Sequence, residues 1–158
     1  MTDNHDEIAL SFYSFFQEKD GLGMTSLYHP DLEFEDPAFG PLNYNRTCAM
    51  WKMLTKGDSD LIIDYRLIGV KENIVNIEWI ASYTFSKTGK PVKNIIQAEM
   101  TIRDGLIFRH QDRFNLHRWA SQAFGIKGWL LGSTGYFKRQ LQAQTNRSLD
   151  RFMAQEPN

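Results

Sequence analysis

The stretch VKNIIQAEMTIRDGLIFRHQDRFNL, from Val92 to Leu116, decides the fold class of this chain. Two runs of alternating apolar and polar residues flank the pair Asp104-Gly105. An Asp-Gly pair suits the positive φ angles of a tight type I′ hairpin turn. The stretch therefore predicts two long antiparallel strands, Val92 to Arg103 and Leu106 to Leu116, joined by that turn.

Two further strands precede this hairpin. Leu61 to Glu72 and Ile74 to Ser86 show the same alternation, and turn residues stand at Glu72-Asn73 and Thr88-Gly89. Four strands of this length predict a large antiparallel meander, which must coil and must bury one face under helices. The expected fold class is therefore α+β.

The N-terminal third supplies the cover for that sheet. Ile8, Phe12, Phe15 and Phe16 have the spacing of an amphipathic helix, which should end near Gly21 or Gly23. Further along we expect a helical turn (24–28), a short strand (32–36), a loop (38–41) and a third helix from about 43 to 57. After the sheet we expect a short helix (119–124), a glycine-rich loop that carries Trp129, and a weakly amphipathic last helix (about 133–153).

Composition narrows the class of protein. A chain of 158 residues with a net charge of −1 predicts one domain and shows no basic excess, so we expect neither a nucleic acid nor an anionic membrane as partner. The single cysteine, Cys48, excludes an intramolecular disulfide and a cysteine-based zinc site.

Met1 to Glu7 is polar and acidic, unlike a signal peptide, and no apolar run approaches the ~20 residues of a membrane span, so we expect a cytoplasmic location. The sequence has no phosphate loop and no dinucleotide motif, so we expect no cofactor, and we expect no metal.

His110 and Asp112 form the principal candidate site. Residues two apart on a strand point the same way, about 6.6 to 7 Å apart, so both side chains should share the inward face with Phe108 and Phe114. An aspartate in an apolar pocket suits the work of a general base. The alternative is an ion pair of Asp112 at the rim of the sheet with one of three arginines, Arg109, Arg113 or Arg118.

The same inward face predicts the wall of a pocket. Its candidate ligand-binding residues are aromatic or apolar, with one amide among them: Trp79, Tyr83, Asn94, Met100 and Phe114. A buried tyrosine hydroxyl and a buried amide each need a partner, which a ligand can supply. The alternative is that these side chains are simply core.

The order of elements and two short segments resemble the nuclear transport factor 2-like superfamily. The segment 32–37, Leu-Glu-Phe-Glu-Asp-Pro, with Pro41 and Arg46, resembles the ketosteroid isomerases, and the resemblance gives Asp36 the role of general base. The segment 103–107, Arg-Asp-Gly-Leu-Ile, followed by His110-Gln111-Asp112, resembles the SnoaL-like polyketide cyclases, and implies that Asp112 is an acid and base. An aspartate before a proline also caps loops and helices, which is the alternative role of Asp36.

The resemblance covers about residues 5–117 and implies a cone-shaped α+β barrel around one apolar pocket. Residues 118–158 would then be a C-terminal helical extension of a single domain, 1–158. Ketosteroid isomerases hold the enolate with a tyrosine on the first helix and a protonated aspartic acid on the third long strand. Phe12 and Ala98 occupy those positions here, so we expect Phe12 only to line the pocket and do not expect steroid isomerisation.

Two functions remain open at this point. The first is a cofactor-free enzyme of the isomerase, cyclase, dehydratase or hydrolase type, in which Asp112 or Asp36 moves a proton of a small hydrophobic, cyclic substrate while His110 polarises an oxygen. The second is a non-catalytic module that binds a small apolar ligand or only dimerises. We expect a homodimer in either case, because three isoleucines should project from the outer face of the sheet: Ile74, Ile80 and Ile95.

Overall fold

The structure, a computed structural model, describes residues 4–156. Its elements in chain order are α1 (His5–Gln17), α2 (Gly21–Thr25), β1 (Tyr28–Asp36), β2 (Gly40–Leu42), α3 (Tyr44–Thr55), β3 (Ile62–Lys71), β4 (Ile74–Phe85), β5 (Lys90–Arg103), β6 (Leu106–Arg113), α4 (Leu116–Phe124), α5 (Ile126–Leu131) and α6 (Gly135–Gln155). The six strands form one curved sheet in the order β2-β1-β6-β5-β4-β3, which confirms the α+β cone.

The predicted meander forms the greater part of the sheet. Strands β3 to β6 pair antiparallel with their sequence neighbours. The turn between β5 and β6 has φ angles of 53° at Asp104 and 73° at Gly105, as a type I′ turn requires. Strand β1 lies parallel to β6, with Phe34 opposite His110. This pairing brings the end of β1, where Asp36 lies, next to the site strand.

Three short segments differ from the sequence predictions. The expected loop over 38–41 contains part of strand β2, in which Gly40 lies opposite Asp36. Pro41 is tolerated there because β2 is an edge strand. Strand β1 begins earlier than expected, at Tyr28, because Tyr28 pairs with Ile107 of β6. The expected loop around Trp129 contains helix α5.

The prediction that Phe108 shares the face of His110 is wrong. A β-bulge between β5 and β6 pairs Thr101 with Arg109 and Ile102 with Ile107, so Phe108 has no partner of its own. Because a bulge adds one residue to a strand, the side chains before it lie on the opposite side of the sheet from the one that simple alternation predicts. Ile107 therefore enters the core with no exposed surface, and Phe108 packs under the guanidinium of Arg103 at 3.6 Å.

Helix α1 covers the concave face of the sheet. Phe12 and Phe16 are buried beneath it, as the helical spacing predicted, whereas Ile8 and Phe15 are half-buried and Tyr13, outside the predicted stripe, is fully buried. The ring of Phe16 lies 5.0 Å from Trp51 of α3 and 5.4 Å from Trp79 of β4, measured between centroids. This aromatic layer closes one end of the cone.

The C-terminal helices α4 and α6 pack on the sheet and on helix α3. Helix α4 packs on β5, and α6 returns across the molecule to α3, where Leu149 is fully buried. In the described part of the chain, no helix is long and apolar enough to cross a membrane.

Candidate functional site

One cavity of about 590 Å³ lies between the sheet and the helices α3, α4 and α6. Its size is that of pockets that hold small organic molecules. Aromatic side chains make up much of its wall: Phe16, Phe39, Trp51, Trp79, Tyr83, Phe85, Phe114, Trp119 and Phe124. Three carboxylates line this largely apolar space: Asp112 is buried, Asp36 is half-buried, and Asp60 is exposed.

Asp112 lies in the cavity wall and not at the rim of the sheet. Its residue is 4% exposed, and its Oδ1 lies 3.0 Å from His110 Nε2 and 3.4 Å from Trp79 Nε1. Within residues 4–156, His110 is the basic side chain within ion-pair distance of it. The alternative of an arginine partner therefore has no support in the structure.

A buried chain of hydrogen bonds leads to Asp112. Trp51 Nε1 donates to the hydroxyl of Tyr28 over 2.8 Å, and that hydroxyl lies 2.7 Å from His110 Nδ1. The Tyr28 proton finds an acceptor only if Nδ1 is unprotonated, which leaves the ring proton on Nε2, facing Asp112. Each hydrogen-bond donor in this series then has an acceptor, and His110 Nε2 donates to Asp112 Oδ1.

His110 itself does not reach the cavity. Its side chain has no exposed surface, and both ring nitrogens are occupied by Tyr28 and Asp112. The ring of Trp51 stacks on it at 6.1 Å, and Phe34 meets it edge-on at 5.1 Å. These contacts fix the imidazole behind Asp112.

Asp36 is the second carboxylate, at the end of β1. Burial, partly offset by hydrogen bonds from the Phe39 and Ala38 backbone and joined by the charge of Asp112, raises its pKa to about 7. The backbone N–H of Phe39 donates to Asp36 Oδ1 over 2.6 Å. Asp36 therefore caps the loop, which is the alternative role that the sequence suggested, and its side chain also lines the cavity.

Helix α6 holds the loop that follows Asp36. Three consecutive carbonyl oxygens, those of Pro37, Ala38 and Phe39, accept hydrogen bonds from α6 side chains. The donors are Gln142 at 3.2 Å, Thr145 at 2.7 Å and Asn146 at 2.9 Å, respectively. Arg46 on α3 fixes Asn146 in turn, over 2.8 Å. The C-terminal extension thus determines the geometry of the Asp36 loop.

The other predicted wall residues divide into two groups. Trp79, Tyr83, Asn94 and Phe114 line the cavity, and the Tyr83 hydroxyl accepts a hydrogen bond from Trp119 Nε1 at 2.7 Å. Burial raises the pKa of Tyr83, so its hydroxyl stays protonated near neutral pH and can donate to a ligand. Asn94 is buried beside it and presents the polar amide of this wall.

Phe12 and Met100 do not line the cavity. Both are fully buried: the Phe12 ring packs edge-on against Trp51 and His110, and Met100 lies opposite His110 on β5. Their inward direction was predicted correctly, but other side chains stand between them and the cavity. The structure gives them a packing role behind the site.

Sequence reasoning missed Tyr28, whose position before His29-Pro30 looked like the end of a helical turn. Only the pairing of β1 with β6 shows that its hydroxyl reaches His110. It also missed the Tyr13 hydroxyl, which is buried without a hydrogen-bond partner in the described part of the chain. Over residues 4–156, no group of three or more His, Cys, Asp or Glu is placed to hold a metal ion.

A curved sheet wrapped around an aromatic cavity, with carboxylates on β1 and β6, defines the nuclear transport factor 2-like class. The family model of the SnoaL-like domain matches residues 9–110, and the chain belongs to this family. No curated protein matches the sequence significantly.

Solved structures show the same fold. A protein with a ketosteroid isomerase-like fold from Catenulispora acidiphila, in complex with trimethylamine, has a TM-score of 0.63 and 17% identity, covering 74% of this chain and 92% of that one. A provisionally assigned polyketide cyclase from Silicibacter has a TM-score of 0.64 and 16% identity, covering 75% and 93%. An LEH-like epoxide hydrolase from M. tuberculosis has a TM-score of 0.58 and 18% identity, covering 80% and 89%. At this level of identity the likeness establishes the fold alone.

Proposed function

We propose that this chain is a cofactor-free acid–base enzyme that acts on a small hydrophobic molecule in the aromatic cavity. The observation that carries the proposal is the pair of carboxylates, Asp36 and Asp112, in one apolar space but in unlike surroundings. Two carboxylates whose surroundings differ in this way can serve as acid and base in one reaction.

Asp112 is the proposed base. It accepts hydrogen bonds from His110 and Trp79, which orient it toward the cavity. His110 has no surface in the cavity, so we propose it as a positioning residue that acts through Asp112 and not as a group that polarises the substrate.

Asp36 is the proposed acid. With a pKa of about 7, roughly half of its carboxyl groups carry a proton at neutral pH. A proton removed from substrate carbon or water by Asp112 can thus be balanced by a proton given from Asp36 to a substrate oxygen or carbon. Tyr83 on β4 and Asn94 on β5, in the same sheet as Asp112, are the proposed hydrogen-bonding partners that orient the substrate.

The related structures support a small molecule as the partner. One of them is a complex with trimethylamine, and others carry the names polyketide cyclase and epoxide hydrolase. These names include a cyclase and a hydrolase, and the isomerase and dehydratase types also remain open for this chain. We further propose that residues 118–158 belong to the same domain, because α6 supplies one wall of the cavity. Cytoplasmic location stays a prediction.

The proposal is tested with a panel of small cyclic probes: an epoxide for hydrolysis, a β,γ-unsaturated ketone for isomerisation and a β-hydroxyketone for dehydration. At least one should be turned over, and Asp112→Asn should lower its rate about 10²-fold or more. Asp31→Asn, an exposed carboxylate on β1 that does not line the cavity, is the matched control and should leave the rate within a few-fold. Binding of the probes with no turnover of any of them would favour the non-catalytic binding module.

A second proposal concerns assembly. Ile80 and Ile95 lie opposite each other on the outer face of β4 and β5, and Ile95 is 38% exposed. We propose that a second copy covers this face, giving a homodimer in which both cavities remain open.

A further inference from the structure

The net charge is only −1, but the charged residues are unevenly distributed along the sequence. Two segments, 79–98 and 113–149, contain no Asp or Glu at all. Together they carry nine of the eighteen Lys and Arg residues and none of the nineteen acidic ones. All of the chain's negative side-chain charge therefore lies outside these two segments.

The fold places the two acid-free segments side by side. The hairpin between β4 and β5 packs on α4, where Thr88 Oγ1 donates to the carbonyl of Ala123 over 2.6 Å. The backbone N–H of Lys93 donates to the Gln122 side chain over 2.7 Å. These neighbouring segments carry seven of the cations, Lys87, Lys90, Lys93, Arg118, Lys127, Lys138 and Arg139, and the carboxylate of Asp60 borders them, where it accepts hydrogen bonds from Thr84.

The end of the molecule formed by these segments also carries exposed apolar side chains. Five large residues within 126–136 are at least half exposed: Ile126 (79%), Trp129 (62%), Leu130 (61%), Leu131 (50%) and Tyr136 (61%). We call these five residues the α5 tip. An exposed cluster of this kind marks a surface that contacts an apolar partner.

The packing of α5 explains why its large side chains point outward. Gly128 is buried against α4, and a Cβ at that position would lie 1.9 Å from the carbonyl oxygen of Ala120. Helix α5 therefore turns its glycine face inward and its large apolar residues to the outside. This is the reverse of the arrangement expected for a short helix whose apolar side is covered by its own domain.

From this geometry we infer that the α5 tip and the surrounding cations dock on the surface of an anionic lipid bilayer. Trp and Tyr favour the level of the lipid headgroups, and Leu and Ile enter the acyl boundary. Lys and Arg next to such a tip gain from anionic headgroups. The inference stands apart from the proposed function, and it departs from the expectation of no membrane partner, which rested on net charge alone.

Other occupants fit less well. A two-fold contact with a second copy would bring the same patch on each subunit together, and so would face cations with cations. A nucleic acid offers phosphates to the lysines but no apolar phase for Leu130 and Leu131.

Docking in this way would set the cavity near the bilayer. Four residues of the same end also line it: Phe85, Lys87, Trp119 and Phe124. A hydrophobic molecule dissolved in the bilayer would then need to cross little water to enter.

The experiment is vesicle co-sedimentation of the full chain at about 0.1 M salt. Vesicles of phosphatidylcholine with about one quarter phosphatidylglycerol are compared with vesicles of phosphatidylcholine alone. The test variant is Leu130→Ser with Leu131→Ser. The control is Leu22→Ser with Val70→Ser, two exposed apolar residues elsewhere on the surface. A thermal melt of each variant checks that it is folded.

We expect binding to anionic vesicles at least tenfold tighter than to neutral ones, and release at about 0.5 M salt. The Leu130/Leu131 variant and a second one, Lys127→Glu with Lys138→Glu, should each weaken binding about tenfold or more, and the control should not. Equal affinity for neutral and anionic vesicles, absence of binding, or equal loss in the control would overturn the inference. So would binding of a protein or nucleic acid through the α5 tip without any binding of anionic vesicles.

Discussion

His110 Nε2 lies 3.0 Å from Asp112 Oδ1, and both side chains are buried. The two residues are next-but-one neighbours on β6, so their side chains leave the sheet on the same side, one behind the cavity and one in its wall. A carboxylate held in this way has a fixed direction and a fixed partner.

Tyr28→Phe removes the hydroxyl that connects Trp51 to His110. It leaves Trp51 Nε1 and His110 Nδ1 buried without a partner, so the free energy of unfolding should fall by about 1–3 kcal/mol. Chemical denaturation measures the change. The control, Tyr136→Phe, removes a hydroxyl from a residue that is 61% exposed, and should change stability by less than about 0.5 kcal/mol. Equal effects of the two variants would contradict the proposed hydrogen-bond chain.

Asp36→Asn should stabilise the protein at high pH. The folded state raises the pKa of Asp36 from 3.8 to about 7, so the cost of its charge grows as pH rises from about 4 to 7 and is complete above 7. The full shift corresponds to about 4 kcal/mol, which water in the cavity reduces to roughly 1–3 kcal/mol.

Thermal melts between pH 4 and pH 8 measure this effect. Wild type and Asp36→Asn should have similar stability at pH 4, where Asp36 is largely protonated, and the variant should be more stable at pH 8. A variant that is less stable than wild type at pH 8 would show that the charged carboxylate of Asp36 stabilises the fold instead.

Thr145→Val tests the contact between α6 and the Asp36 loop. The change keeps the shape of the side chain but leaves the Ala38 carbonyl without its 2.7 Å donor, so unfolding should become easier by about 1–2 kcal/mol. Gln140→Ala, an exposed site on the same helix, is the control in the same denaturant titration. Truncation after Gly125, which removes α6 entirely, should lower the melting temperature further, and an unchanged melting temperature would refute a structural role of the extension.

The proposed dimer predicts a mass of twice 18.4 kDa by sedimentation at micromolar concentration. Ile95→Lys should shift the protein toward the monomer, because it places a charge in the centre of the proposed contact. The control is Leu22→Lys, a 71% exposed residue on α2, away from this face. A wild-type mass near 18.4 kDa would exclude the dimer.

Much of the fold was predictable because its signals are local. The alternation along β4 and β5 and the pair Asp104-Gly105 predict the strands and their turn without reference to the rest of the chain. The shared inward face of His110 and Asp112 also followed from strand phase, since the bulge lies before His110, but strand phase left open whether Asp112 lies in the cavity wall or at the rim of the sheet.

What sequence reasoning missed depends on contacts between distant segments. Tyr28 and His110 are 82 positions apart, and Thr145 reaches Ala38 across 107 positions. The spacing of apolar residues along the sequence predicts helices and strands but does not predict such contacts. The exposure of α5 could not be predicted for a similar reason, since only its packing on α4 shows that Gly128 faces inward and that Trp129 and Leu130 face outward.

The most direct test of the central claim is the titration of Asp36 by ¹³C NMR of aspartate-labelled protein, with Asp36→Asn identifying its signal. We predict a midpoint of about 7 in the wild type. In Asp112→Asn the midpoint should fall, because the charge of Asp112 is one of the causes that raise the pKa of Asp36, whereas Asp60→Asn should leave it unchanged. A midpoint near 3.8, or one that Asp112→Asn does not move, would contradict a coupled acid–base pair in this cavity.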